Sequence, residues 1–475
     1  MINRQGSSQL SAIVLKALGV FGTSEGLAML CGVVRTKLVA LWIGASGVGL
    51  FGLFNSVVEM LGALTQTGIR NSAVRQIASG TDDVRKQMSI FVARRLCVML
   101  GIGTGVLCAA LSRVLSDISF GNSDYWWAFC WLGVSIIINS VTAIESGVLQ
   151  GLHRLSAIAR ASVSGSILAL GVSVPILYFL RIDGIVPVIL AYSVCIFCSY
   201  WWHRSKEKVN IGNADKKELT AIRNNMLRFG IYLTASSFVV WCVNYLLMSY
   251  INHQGGETEM GYFQCGYTLI IKYMGVAFSA IGMEFFPRLS QALGRGFTRA
   301  NVFVNHEIYV MLSIVSAAGC LLAAFAPWVV TLLYSADFMP AVPYVVVAML
   351  GCVWRCVSWC MGYMIVAKGE GGIYMALEVC SGLICLALSI GGYWLMGMQG
   401  LGWAFALWYL VYAIAVYITV HKRYGYRMPK ATAEWMIVCM AVTAGVVWLS
   451  MSVSMWCAAV VSVGMCALGV RMLRR

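Results

Sequence analysis

Long apolar runs alternate with short polar clusters from one end of the chain to the other. Each run has about the 20 residues that a helix needs to cross the hydrocarbon core of a bilayer. In chain order they predict about fourteen spanning helices. The first seven are Ala17–Gly44, Gly49–Gly68, Leu96–Leu115, Tyr125–Ile144, Ser162–Leu180, Ile185–Trp202 and Phe229–Ile251. The remainder are Gly261–Phe286, Ile308–Leu333, Val342–Ala367, Ile373–Met396, Gly400–Val420, Trp435–Met451 and Met455–Val470.

The polar clusters carry an orientation. With the N-terminus in the cytoplasm, the loop holding Arg70, Arg75, Arg85, Lys86, Arg94 and Arg95 lies inside, as do Arg471, Arg474 and Arg475 after the last run. Outer connections hold Asp117, Asp124, Asp183, Glu257, Glu259 and Asp337, with Arg113 and Arg181 as their basic residues. Lys and Arg retained on the cytoplasmic side set this topology, so an even number of spans and two cytoplasmic termini are expected.

The longest polar stretch, His203–Arg228, follows the sixth run and divides the first twelve into two sixes. Gly49-Leu50-Phe51 opens the second run and Gly261-Tyr262-Phe263 the eighth, while Gly68-Ile69 with Arg75 is echoed by Ile281-Gly282 with Arg288. These echoes predict a parallel repeat about an axis along the membrane normal. The expected architecture is all-α and integral to the membrane. It has two six-helix lobes around a central cavity, residues 1–208 and 209–430, and an added hairpin over 431–475. Repeat-built membrane proteins of this kind commonly hold substrate between the halves and rock one against the other, which favours a transporter.

Composition strengthens the membrane reading. Of 475 residues, 60% are hydrophobic and 11% charged, against about 45–50% and about 25% in soluble domains. No sizeable soluble domain fits. The net charge of +15 sits in short inter-run clusters, where cytoplasmic retention explains it, and nucleic acid is not an expected partner. Met1–Lys16 is short and no convincing small-residue cleavage site follows, so the first helix is expected to be retained. The 17 cysteines lie almost entirely inside apolar runs as small hydrophobes. Cys195 with Cys198, and Cys352, Cys356 and Cys360, have metal-like spacing but no nearby His or polar surroundings, so packing is the better reading. No metal or cofactor is expected.

Charges inside the runs are the best site candidates, because a charge at bilayer depth costs at least about 2.5–3.5 kcal/mol and normally faces a partner or a wet cavity. They are Glu25, Arg35 and Lys37 in the first run, Glu59 in the second, Glu145 at the end of the fourth, Lys272 in the eighth, Arg355 in the tenth and Glu378 in the eleventh. Arg35 and Lys37 lie in the outer half of a long run, where snorkelling outward competes with a cavity position. Lys272 and Arg355 are too central to snorkel easily. Under the repeat, Glu59 and Lys272 fall at nearly equivalent positions of opposite lobes, either facing each other across a cavity or forming a structural ion pair. Glu25, Glu145 and Glu378 lie nearer the cytoplasmic ends, where a carboxylate needs less explanation. The selected cavity set is Arg35, Lys37, Glu59, Lys272 and Arg355. Excess Arg and Lys at low dielectric select anions, and the guanidinium fork matches phosphate oxygens. The 16 Trp and 21 Tyr divide between interfacial belts and rings that stack on sugars, a division the sequence leaves open.

The stretch from Cys31-Gly32-Val33-Val34-Arg35-Thr36-Lys37 to Ile43-Gly44, followed by Gly47-Val48-Gly49-Leu50-Phe51-Gly52-Leu53, resembles Wzx-type O-antigen translocases. Gly68-Ile69 and Val74-Arg75-Gln76-Ile77-Ala78 continue the resemblance, and Phe286-Pro287-Arg288-Leu289-Ser290 extends it more weakly. These proteins belong to the multidrug/oligosaccharidyl-lipid/polysaccharide exporter superfamily, whose core is two six-helix lobes. The resemblance implies a flippase in the bacterial inner membrane that moves an undecaprenyl-diphosphate-linked oligosaccharide, an O-antigen or similar repeat unit, to the outer leaflet. It also implies a cavity role for Arg35, which matches the first-span arginine of similar lipid II flippases. Their second-span arginines have no counterpart, and their eighth-span arginine falls about one turn from Lys272, so lipid II itself fits less well. Membrane lipids, a coupling ion (proton or sodium) and other glycan-assembly proteins complete the expected partners. A drug or cation antiporter of the same superfold would want an anionic cavity. A glycan polymerase or acyltransferase would want a long outer loop or an in-membrane His constellation, and the five His are scattered.

Overall fold

The computed structural model describes residues 24, 26–78, 83–204, 216–452 and 455–473. Within them every regular element is a helix. The first half runs α1 (residues 26–42), α2 (Ala45–Ala78), α3 (Asp83–Ala110), short α4 (Ser112–Phe120), α5 (Trp126–Gly151), α6 (Leu155–Leu180) and α7 (Ile185–His203). The second runs α8 (Lys216–Tyr267), a π-helical segment (Thr268–Tyr273), α9 (Met274–Gly294), α10 (Phe297–Ala324) and short α11 (Ala326–Leu333). It closes with α12 (Val342–Lys368), α13 (Gly371–Tyr424), α14 (Lys430–Ser452) and α15 (Met455–Leu473).

Nine of the described stretches are long and apolar enough to cross a membrane, which makes this a multi-pass membrane protein. Three of the nine are broken once: Leu155–His203 at the 3-10 turn Arg181–Gly184, Lys217–Phe278 at Gly256 (φ 74°), and Gly371–Tyr424 at Gly397 (φ 59°). The expected separations between spans five and six, seven and eight, and eleven and twelve fall at these breaks. In α15 the apolar stretch is only Met455–Gly469, shorter than the other spans. Glu25 and the start of the expected first span lie outside the described residues.

Several boundaries differ from the sequence expectation. The basic stretch after Gly68 is not an open loop, because α2 continues to Ala78 and α3 begins at Asp83. The expected third span ends at Ala110, and α4 follows with Ser116 Oγ donating to the Asn122 carbonyl at 2.7 Å. Likewise the expected ninth span breaks at Phe325, where Pro327 at the start of α11 cannot supply the N–H that would continue α10.

The chain divides into two compact units, Met1–Tyr245 and Leu246–Arg475. In unit one, α2, α3 and α5 enclose a core that includes Ala73, Ile77, Ala93, Cys97, Ile144 and Val148. The polar linker contributes to this core. The first turns of α8 bury Ile222 and Met226 in it, and Ser72 and Gln76 of α2 donate to the Met226 and Ile222 carbonyls at 3.0 and 3.4 Å. Gly68 lies so close to Gly230 that a Cβ on either would press into the other's backbone.

In unit two, α12 packs against α10, α13 and α14. The pair α14 and α15 docks on α10 through small and hydroxyl side chains, as helix contacts in lipid favour. Trp435 Nε1 donates to Ser313 Oγ at 3.1 Å, and Ser462 and Ser450 donate to the Cys320 and Ala323 carbonyls at 3.0 and 2.9 Å.

The two units repeat a local device. In unit one, Phe54 of α2 packs its ring against Phe120, Tyr125 and Phe129 at the α4–α5 corner. Around the α11–α12 corner of unit two, Phe263 stacks on Tyr344 at 5.6 Å and Tyr262 meets Phe338 edge-on. Gly266, where a Cβ would overlap the Tyr344 ring, leaves room for that stack. Each corner lies beside a short helix, but Phe51 of the sequence echo is not part of the first one: it lies against Arg35, and Phe54, three residues on, packs the corner.

Candidate functional site

The helix α1 stops at Gly44, which takes the left-handed φ of 88° that a side-chain-bearing residue rarely adopts, and α2 starts at once. Eight residues, 36–43, separate Arg35 from that turn, roughly 13 Å along the helix. There the guanidinium lies between two rings, its Cζ 4.3 Å from the Tyr192 centroid of α7 and 5.3 Å from the Phe51 centroid of α2. Its Nε is buried without a hydrogen-bond acceptor. Among the described residues no carboxylate pairs with it. Rings stabilise the cation through their faces but accept none of its five fork-shaped N–H bonds in the way an oxyanion does.

Between Leu50 and Ala63, the side of α2 that stays open consists of Phe51, Asn55 and Glu59, spaced four apart. Asn55 Nδ2 donates to the Phe51 carbonyl at 2.7 Å. Glu59 therefore shares a stripe with the ring under Arg35, two turns further along. Lys37 is half-buried and lies on a different side of α1 from Arg35, since two residues turn a helix by about 200°.

In unit two, Arg355 of α12 is half-buried, with Cζ 4.5 Å from the Phe278 centroid and 5.9 Å from that of Tyr409. Its Nη1 donates to the Ile270 carbonyl at 3.3 Å. Ile270 belongs to the π-helical segment, whose widened turn departs from the ordinary helical hydrogen-bond ladder and which often marks functional positions. Lys272 sits two residues on in the same segment and is exposed. The structure thus joins Arg355 to the turn that carries Lys272.

Other in-span charges resolve differently. Glu145 is almost fully enclosed in unit one, and Arg94 Nε and Nη2 donate to its two carboxylate oxygens at 2.7 Å each. It is an internal ion-pair member rather than an interfacial carboxylate. Glu378 accepts from Tyr412 Oη at 2.6 Å inside α13. Cys352, Cys356 and Cys360 are buried within unit two, and Cys356 Sγ contacts the Met311 carbonyl at 3.9 Å. Sequence reasoning did not single out Tyr192, Asn55, Trp359 or Tyr363. The four-residue spacing of Asn55 and Glu59 within an apolar helix was a usable signal, but nothing local brings Tyr192 to Arg35.

The match that decides kinship spans residues 39–343, against the model of a family described as polysaccharide biosynthesis protein. The chain belongs to this family. A relative from Escherichia coli strain K12, the Lipid III flippase, is 21% identical over 402 residues, covering 80% of this chain and 92% of the relative. The Lipid III flippase of Shigella flexneri matches equally. Among solved structures, the Lipid II flippase MurJ in an inward closed conformation superposes with a TM-score of 0.75 at 12% identity, covering 96% of this family member and 99% of MurJ. An inward-facing multidrug resistance MATE transporter of the MOP superfamily gives 0.68 at 17% identity, covering 87% and 96%. This polysaccharide biosynthesis protein therefore has the MurJ and MATE fold, in keeping with the two-lobed helical architecture read from its sequence.

Proposed function

We propose that this family member is a flippase that carries an undecaprenyl-diphosphate-linked oligosaccharide, an O-antigen or similar surface-glycan repeat unit, from the cytoplasmic to the outer leaflet of a bacterial inner membrane. Both termini are cytoplasmic in this reading, and residues 1–208 and 209–430 form the two lobes that alternate access, with 431–475 appended. Arg35, Lys37, Glu59, Lys272 and Arg355 line the substrate path. A proton or sodium ion supplies the coupling, and other glycan-assembly proteins deliver and receive the cargo.

The observation that carries this reading is the Arg35 guanidinium. It is held at depth by two rings, with a buried Nε that has no acceptor. A phosphate oxygen supplies that acceptor, and the charge-assisted bond is about twice as strong as a neutral one. The Lipid III flippase of Escherichia coli, matched over most of its length, supports a lipid-borne cargo. The MATE likeness leaves drug efflux as the competing reading, yet a cationic drug gains nothing from Arg35 or Arg355.

Arg35→Ala is expected to abolish surface glycan and accumulate lipid-linked oligosaccharide at unchanged protein abundance. Arg35→Lys retains a point charge but loses the planar fork, so partial export is expected. Full export by Arg35→Ala would overturn the assignment, and loss of drug resistance without loss of glycan would favour efflux.

A further inference from the structure

The helix α12 is enclosed on nearly every side. From Tyr344 to Ile365 its side chains are buried except at Trp354, Arg355, Trp359 and Tyr363. Arg355, Trp359 and Tyr363 are spaced four apart and therefore form a single open stripe, with Trp354 beside it.

This stripe does not resemble a surface made for lipid. Where α14 and α15 are most open along their spans, they expose Val460, Trp456, Ile437, Trp448 and Val463, none of them charged. The α12 stripe instead presents a guanidinium between its rings, and a cation facing hydrocarbon would be strongly disfavoured. Its surroundings also hold the rings still. Trp359 meets Phe278 edge-on at 5.6 Å, lies nearly parallel to Phe285 at 5.8 Å, and contacts Tyr363 at 4.5 Å. Tyr363 in turn meets the exposed Phe286 at 5.9 Å. A Cβ at Gly282 would come within 3.0 Å of the Trp359 indole, so the bare glycine lets α9 back the ring closely. Rings fixed in this way lose little freedom when they bind, which is the physical content of preorganisation.

A pyranose ring offers one apolar C–H face and a rim of hydroxyls. Indole and phenol rings match that pattern, with a flat apolar body and a polar N–H or O–H at the edge. Successive stripe positions are roughly 6 Å apart along α12, suited to successive rings of a short oligosaccharide. Arg355 uses one N–H on the Ile270 carbonyl and retains others for an anionic or hydroxylated neighbour.

We propose that the Arg355, Trp359 and Tyr363 stripe is a carbohydrate subsite, in which Arg355 engages the phosphate end of a lipid-linked oligosaccharide and Trp359 and Tyr363 stack its first sugar rings. This rests on the flippase reading above and adds to it where the sugar is recognised.

The test uses the full-length protein in lipid nanodiscs and two probes, undecaprenyl diphosphate and the undecaprenyl-diphosphate oligosaccharide extracted from the source strain. Trp359→Leu is expected to weaken the sugar-bearing probe roughly five- to tenfold, the size of a ring-stacking contact, and to leave the sugar-free probe unchanged. Trp359→Phe should restore most of the loss at an unaltered thermal midpoint, which separates a sugar contact from a folding defect. Arg355→Gln is expected to weaken both probes alike. Equal binding of the sugar-bearing probe by wild type and Trp359→Leu, or an equal loss for both probes, would overturn the subsite and leave the flippase reading standing. A wild-type protein that binds neither probe removes the flippase reading and the subsite together.

Discussion

At the scale of single residues, the in-span charges divide by what surrounds them. Glu145 has a two-point partner in Arg94, whereas the guanidinium of Arg35 has only rings. Both are charges in apolar sequence, and nothing local in the chain separates them. The ion pair is structural, and breaking one half leaves an uncompensated buried charge, which costs on the order of 3–5 kcal/mol. Glu145→Gln is therefore expected to lower the thermal midpoint of the purified protein and its abundance in membranes. The double change Arg94→Met with Glu145→Leu should recover most of that loss, because apolar side chains of similar volume replace buried pairs with little penalty. An unchanged midpoint in Glu145→Gln would show that the pair contributes nothing. Of the candidate site, the sequence made Arg35 and Arg355 visible as charges out of place. It did not reveal Tyr192, Trp359 or Tyr363, because in a chain with 16 Trp and 21 Tyr only neighbours from other helices separate a lining ring from an interfacial one.

At the scale of elements, the polar linker is more than a tether. Its helix buries Ile222 and Met226 in the core of unit one and accepts hydrogen bonds from Ser72 and Gln76. Met226→Asp places an unpaired carboxylate in that core. It is expected to release the start of α8, seen as faster amide hydrogen exchange over residues 219–228 with the exchange of α12 unchanged. Gly68→Val should do the same by steric means, since its Cβ would press into the Gly230 backbone. Slow exchange in both variants would mean that the helix is held by something other than these contacts. The sequence showed the charged stretch as a boundary between spans, but its apolar positions are too few for a span and too short a series to show which core they enter. The π-helical turn at Thr268–Tyr273 was equally hidden, because the reach of Arg355 to the Ile270 carbonyl joins helices far apart in the chain.

At the scale of the whole molecule, the proposed topology puts the basic clusters on the cytoplasmic side. A fluorescent protein that matures only in the cytoplasm, fused after Arg475, is expected to be bright, and a phosphatase active only outside, fused at the same point, to be inactive. The reverse pattern would invert the proposed topology. Both readouts follow from the positive-inside bias, which depends on the Lys and Arg residues near the ends of the spans.

What the sequence determined by itself was the solvent and the material of the fold. Apolar runs of spanning length leave the backbone no partners in lipid except its own, so helices follow from composition and run length. The breaks between runs and the charge bias around them were legible for the same reason, since each is a property of neighbouring residues. Tertiary structure decided which charges are partnered, where the linker docks, that short helices close the third span of unit one and the ninth span in unit two, and which side of α12 remains open. Those outcomes depend on contacts between helices distant in sequence. In a bilayer, where almost every exposed position is apolar, the hydrophobic pattern that would orient a helix in water no longer distinguishes its inner face from its outer one.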